Sequence, residues 1–115
     1  MTRHLLSLGL LIGVACASHP ALVRSAEPIE DERAARAYEQ RAEELERVLS
    51  AGAAPPDCKQ VCDLVGQICD LSDLICQISS RHPDDSELAG RCASGEQRCQ
   101  RSRQRVPPGC SCPAR

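Results

Sequence analysis

CKQVCDLVGQICDLSDLICQISSRHPDDSELAGRCASGEQRCQRSRQRVPPGCSC, residues 58–112, holds eight of the chain's nine cysteines. Cys62, Cys69 and Cys76 recur every seven residues, and Cys92 and Cys99 repeat the interval. Seven residues are close to two turns of an α-helix, so each set lies along one stripe of a helix. In two antiparallel helices, directly opposed positions have a constant sum. Cys76 with Cys92 and Cys69 with Cys99 both sum to 168, which predicts two disulfide rungs between facing helices. The next rung from Cys62 would fall near Val106, where Val106-Pro107-Pro108-Gly109 ends the helix. Cys110 and Cys112 lie beyond that break, placed to fold back on Cys58 and Cys62, and the register leaves open which takes which. A bridge needs Cα atoms roughly 4.4–6.8 Å apart. The inner stripe of the third helix, Leu88, Cys92, Gly95, Cys99, Ser102 and Val106, carries two small residues that permit such an approach.

Composition makes the same demand. The chain has 115 residues, no Trp, no Phe and one Tyr. Aromatic side chains bury the most area each, so the core is thin and a chain of this size needs staples. Disulfides persist only in oxidising compartments. A formal net charge of -2 favours neither nucleic acid nor an acidic membrane surface, and the chain lacks aromatic residues for base stacking.

Upstream, Arg3 precedes an apolar run from Leu5 to Ala15. This has the form of a bacterial export signal over residues 1–16 and is too short for a bilayer span of about 20 residues. Two processing readings compete. Ala15-Cys16 resembles the end of a lipoprotein signal, with Cys16 the lipidation site, although Gly13 stands where a branched aliphatic residue is usual. Ordinary cleavage after Ala17 is the alternative; either leaves eight cysteines to pair. Residues 17–28, punctuated by Pro20 and Pro28, read as a flexible tether. A charged amphipathic helix is expected over 29–51. Its apolar stripe is Ala35, Tyr38, Ala42, Leu45 and Leu49, with i, i+4 pairs Glu32/Arg36 and Glu43/Arg47 and a solvated face elsewhere. Gly52 and Pro55-Pro56 end it.

The cysteine domain spans 57–112. Asp57 can cap its first helix, expected to run to about Ser79. Beside the cysteines this helix carries a second stripe, Val61, Leu64, Ile68, Leu71, Ile75 and Ile78, which needs a neighbour of its own. That neighbour is the upstream helix or a partner protein, so the stripe is both candidate core and the chain's candidate interaction face. Ser80 to Pro83 turn the chain, with His82 a turn residue, and Asp84 with Glu87 forms a capping-box pattern. Arg91, Arg98, Arg101, Arg103 and Arg105 place cations on the outer surface of the third helix, where the carboxyl-terminal dipole favours them.

No catalytic residue set emerges. The histidines, His4, His19 and His82, are scattered, and no hydrolase triad, zinc-protease helix or phosphate-binding loop is present. An enzyme, a cofactor, a small-molecule substrate and a metal site are therefore not expected. The rival reading is a thiolate store for Cu(I) or Zn(II), using Cys58 and Cys62 with Cys110 and Cys112. Against it, cysteines seven apart are separated by about 10.5 Å along a helix, and only one C-x3-C pair occurs.

The order of a short export signal ending in Ala15-Cys16, a charged helix, and then C-x3-C-x6-C-x6-C-x15-C-x6-C-x10-C-x-C resembles the small cysteine-rich bacterial lipoproteins of unknown function. The resemblance covers most of the chain and implies a location and a fold but no activity. The hairpin is also similar in architecture to the twin cysteine-motif proteins of the mitochondrial intermembrane space, which use nine residues between cysteines where this chain has six. The expectation is an all-α protein, a disulfide-laddered antiparallel helical hairpin plus an upstream helix. It would be extracytoplasmic and held to a bacterial membrane by a lipid anchor, with a structural or protein-interaction role at the cell envelope; a soluble periplasmic or secreted protein is the alternative.

Overall fold

A computed structural model describes residues 26–52 and 57–114. The segment 1–16 with Cys16, and most of 17–28, lie outside the described residues. Three helices form, α1 (Ala26–Ser50), α2 (Cys58–Arg81) and α3 (Ser86–Gln104), and no strand occurs among the described residues. The protein is all-α: α2 and α3 make an antiparallel hairpin riveted by disulfides, and α1 lies along it.

Two rungs join helix to helix, Cys69–Cys99 with Cα atoms 4.7 Å apart and Cys76–Cys92 at 4.6 Å. Two more join α2 to the segment after α3, Cys58–Cys110 at 5.3 Å and Cys62–Cys112 at 5.2 Å. Helices approach this closely only if the positions between rungs are small. Gly95 meets Ser72 there, and a Cβ on Gly95 would lie 2.9 Å from Ser72 Oγ and 3.4 Å from Ser72 Cα. Half a heptad further out Gly66 and Ser102 are both buried, at positions with the same constant sum as the rungs. Cysteine and small residues thus alternate along the seam.

The apolar core is in two parts. Near the turn, Ala35 of α1 packs with Ile78 and Leu88, flanked by Ala34 and Tyr38. Towards the open end, Val65 packs with Cys69 and Cys99, flanked by Leu49, Val61 and Val106. The expected stripe of α1 faces inward: Ala35, Ala42 and Leu45 are buried, and Tyr38 and Leu49 are half-buried. α1 begins at Ala26, earlier than the expected Ile29, so residues 26–28 of the expected tether are helical. Pro28 does not prevent this, because first-turn N–H groups have no intrahelical partner.

The caps correct one expectation. Asp57 caps α2 as expected, Oδ1 accepting from Lys59 N at 2.9 Å and Gln60 N at 3.4 Å. At α3 the cap is Asp85 rather than Asp84, accepting from the Glu87 and Leu88 amides at 3.0 Å each. The cause is the turn: α2 runs on to Arg81, His82 N donates to Ser79 O, and Asp85 N donates to His82 O. That consumes Asp84 and gives Asp85 the extended backbone of a cap (φ -92°, ψ 99°). Glu87 then pairs along the helix with Arg91 at 2.9 Å instead of closing a capping box.

Candidate functional site

The aliphatic stripe of α2 is where an interaction face was expected, and α1 covers half of it. Ile68, Ile75 and Ile78 are buried, so they are intramolecular core and not open surface. Val61, Leu64 and Leu71 are half-buried. What stays accessible is the α1/α2 margin, a shallow groove lined by Arg41, Leu45, Gln67, Asp70, Leu71 and Leu74, with Leu74 37% exposed. The physical reason is geometric: a stripe with heptad spacing suits a helix neighbour, and α1 brings Ala35, Ala42 and Leu45 at matching intervals.

Of the arginines expected on the outer surface of α3, Arg101, Arg103 and Arg105 are exposed, whereas Arg91 and Arg98 are half-buried against α1. Arg98, whose side chain is 12% exposed, donates from Nε to Glu46 Oε2 at 3.1 Å and reaches Glu43 Oε1 at 3.4 Å. Glu43 therefore turns across to α3 instead of pairing along α1 with Arg47 as expected. Arg101 and Arg105 approach the same Glu46 at 3.7 and 3.8 Å. Arg91 bridges Glu39 of α1 and Glu87 of its own helix, and its guanidinium pKa is held above the ordinary value, first by the Glu87 hydrogen bond. The acidic face of α1 and the basic face of α3 meet in two interhelical clusters, one around Arg91 and one around Glu46.

At the turn end sits a clasp that sequence reasoning missed. Asp31 of α1 accepts from Arg81 Nη2 at 2.7 Å, and His82 Nε2 lies 2.7 Å from its other oxygen. The Arg81 hydrogen bond, then that of His82, holds the Asp31 carboxyl below the usual carboxylate range. His82 is thus a docking residue as well as the C-cap of α2. Fifty residues separate Asp31 from Arg81, so only the i, i+4 spacing of acids on α1 and the basic pair at the turn could have hinted at it.

The cysteines proposed as metal ligands are all bridged. Cys58 and Cys62 each pair with a different cysteine of the tail, and so do Cys110 and Cys112 with α2. Cys76, Cys92 and Glu96 bring three ligand-type atoms together, but the two sulfurs share a bond and offer no thiolate. A second groove, about 490 Å³, runs beside the Cys62–Cys112 rung, between Val65, Gly66 and Cys69 of α2, Arg103 and Val106, and the tail residues Cys112, Pro113 and Ala114.

No helix among the described residues is long and apolar enough to cross a membrane. Four bridges in so small a fold define the class, a disulfide-stabilised helical protein of an oxidising, extracytoplasmic compartment. A scan against family models and searches of curated proteins and of solved structures found no match to the chain.

Proposed function

We propose that this is a non-enzymatic bacterial envelope protein, anchored to the membrane by a lipid on Cys16, that serves as a rigid helical module for contact with another envelope protein. The observation that carries the reading is the partition of the cysteines. All eight from Cys58 onward pair among themselves, so the fold has no use for Cys16, which stands at the end of an export-type apolar run. The resemblance to small cysteine-rich bacterial lipoproteins points the same way. The Leu64, Leu71 and Leu74 margin beside α1 is apolar surface open to a partner.

Intact mass of the mature protein from its native envelope tests this. A chain beginning at Cys16 with added acyl mass and eight fewer hydrogens than the reduced form is expected; a chain beginning at Ser18 without lipid returns the protein to the soluble compartment. For the contact itself, Leu64→Glu and Leu74→Glu should abolish co-purification of a partner while helicity persists, and unchanged recovery would remove that margin from the account. Stoichiometric Cu(I) or Zn(II) in the same preparation would favour a thiolate store instead.

A further inference from the structure

The four rungs differ in surroundings. Cys69 and Cys99 are 6% and 8% exposed, out of reach of a solution nucleophile. The Cys76–Cys92 rung is half-buried, and Glu96 Oε1 lies 3.9 Å from Cys76 Sγ. A carboxylate there opposes both an incoming thiolate and the thiolate that must leave. Cys58 is exposed at the first residue of α2, where the helix amino terminus stabilises an anion, while Cys62, Cys110 and Cys112 are half-buried like the Cys76–Cys92 rung. Asp57 shares that terminus, with its oxygen engaged by the Lys59 and Gln60 amides. The partners also differ: an inner rung, once cut, leaves two thiols held together by packed helices. The segment 107–114 is neither helix nor strand. Among the described residues its hydrogen bonding stays within itself, Cys110 N donating to Pro107 O at 2.9 Å, so disulfides are what hold it to α2.

We propose that residues 107–114 are a redox-releasable strap: an external dithiol opens Cys58–Cys110 and then Cys62–Cys112 before either inner rung, and release of the strap widens the apolar groove along Val65, Gly66 and Val106. The reductant thiolate attacks Cys110 Sγ, a mixed disulfide forms, and the electrons of the broken S–S bond leave with Cys58 as its thiolate. The second thiol of the reductant, as thiolate, displaces Cys110 and closes a disulfide within the reductant. Two electrons have passed to the protein, which protonates to two thiols. Cys62–Cys112 opens by the same two displacements. The hairpin persists on its inner rungs, so the change is local.

The experiment is a timed exposure of the native protein to dithiothreitol, quenched by alkylation and followed by peptide mapping. Cys58 and Cys110, then Cys62 and Cys112, are expected to label on the order of tenfold faster than Cys76 and Cys92, with helical circular dichroism retained and faster amide exchange at Val65 and Val106. Labelling of Cys76 and Cys92 first, simultaneous labelling of all eight, or opening of the outer rungs without a change in exchange would each overturn the proposal. Glu96→Gln is expected to speed labelling of Cys76 and Cys92 severalfold while the outer rungs keep their rate; an unaltered inner rate would remove the carboxylate from the explanation.

Discussion

The seam between α2 and α3 and the seam between α1 and that hairpin solve the same problem, the thin core of a chain with one aromatic residue, by opposite chemistry. The first is covalent and narrow, with cysteine rungs separated by Gly95 against Ser72 and by Gly66 with Ser102. The second is apolar and ionic without a covalent link, with Ala35, Ala42 and Leu45 at its centre and Asp31, Glu39, Glu43 and Glu46 reaching to Arg81, Arg91 and Arg98 at its margins. No bridge ties α1 to the hairpin, because all eight cysteines of the described residues are used within 58–112. The difference teaches that the molecule has two independent points of failure, a reductant for one seam and acid or salt for the other.

The largest effect should come from cutting a buried rung. Removing Cys69–Cys99 with paired serine substitutions is expected to cost about 2–4 kcal/mol, lowering the melting temperature by about 10–20 °C. Calorimetry on the purified variant checks it, and a shift of a degree or two would make the seam's packing and not its sulfur the main stabiliser. On the ionic side, Arg98→Met leaves Glu46 half-buried without its closest cation and should cost about 1–2 kcal/mol. The loss should be local: amides of α1 exchange faster while those of α2 and α3 keep their protection. Equal acceleration in all three helices would mean the seams are not separable.

Gly95→Ala sharpens the description of the covalent seam. Its Cβ would press on Ser72 Oγ, an overpacking cost of about 1–3 kcal/mol set against a helix-propensity gain of about 1 kcal/mol. A net loss of about 1 kcal/mol is expected, and Ser72→Ala should recover it by removing the crowded hydroxyl. Urea denaturation of the four combinations measures the coupling; additivity would show that the helices can slide apart.

Acid should produce the smallest change, confined to α1. Asp31 has its folded pKa lowered by Arg81 and His82. Its contribution is complete above the ordinary carboxylate range, about pH 4, and is lost as pH falls through the lower folded value. Tyr38, the one aromatic residue, packs beside Ala35, Ile78 and Leu88, so its emission reports α1 docking. Its change below pH 4 should flatten in Asp31→Asn, and an identical profile in the variant would assign the transition to other carboxylates.

The covalent seam was legible because its information is local and periodic. Seven-residue cysteine spacing fixes a stripe, and one constant sum aligns two stripes. The outer pairing was not legible, because after Pro107 the tail is not helical and a helical register has no authority there. Cys58 with Cys110 happens to share the sum of the inner rungs, but Cys62 with Cys112 does not, so the sum could not have decided both pairs. The stripe of α1 could be read for the same periodic reason, but the targets of its acids could not. Glu43 has an equally good local partner in Arg47, and only the packing angle of α1 sends it to Arg98. Asp84 and Asp85 differ by one residue, and which becomes the cap depended on where α2 ended.

The most direct test of the central claim is the connectivity of the unreduced protein. Cleavage at Asp63, Asp70 and Asp73 separates Cys62, Cys69 and Cys76, cleavage after Lys59, Arg98 and Arg105 separates Cys58, Cys92, Cys99 and the tail, and fragmentation mass spectrometry resolves Cys110 from Cys112. The expected linked peptides join Cys69 to Cys99, Cys76 to Cys92, Cys58 to Cys110 and Cys62 to Cys112. A peptide linking Cys69 to Cys76, or free thiols at Cys69 and Cys99, would contradict it.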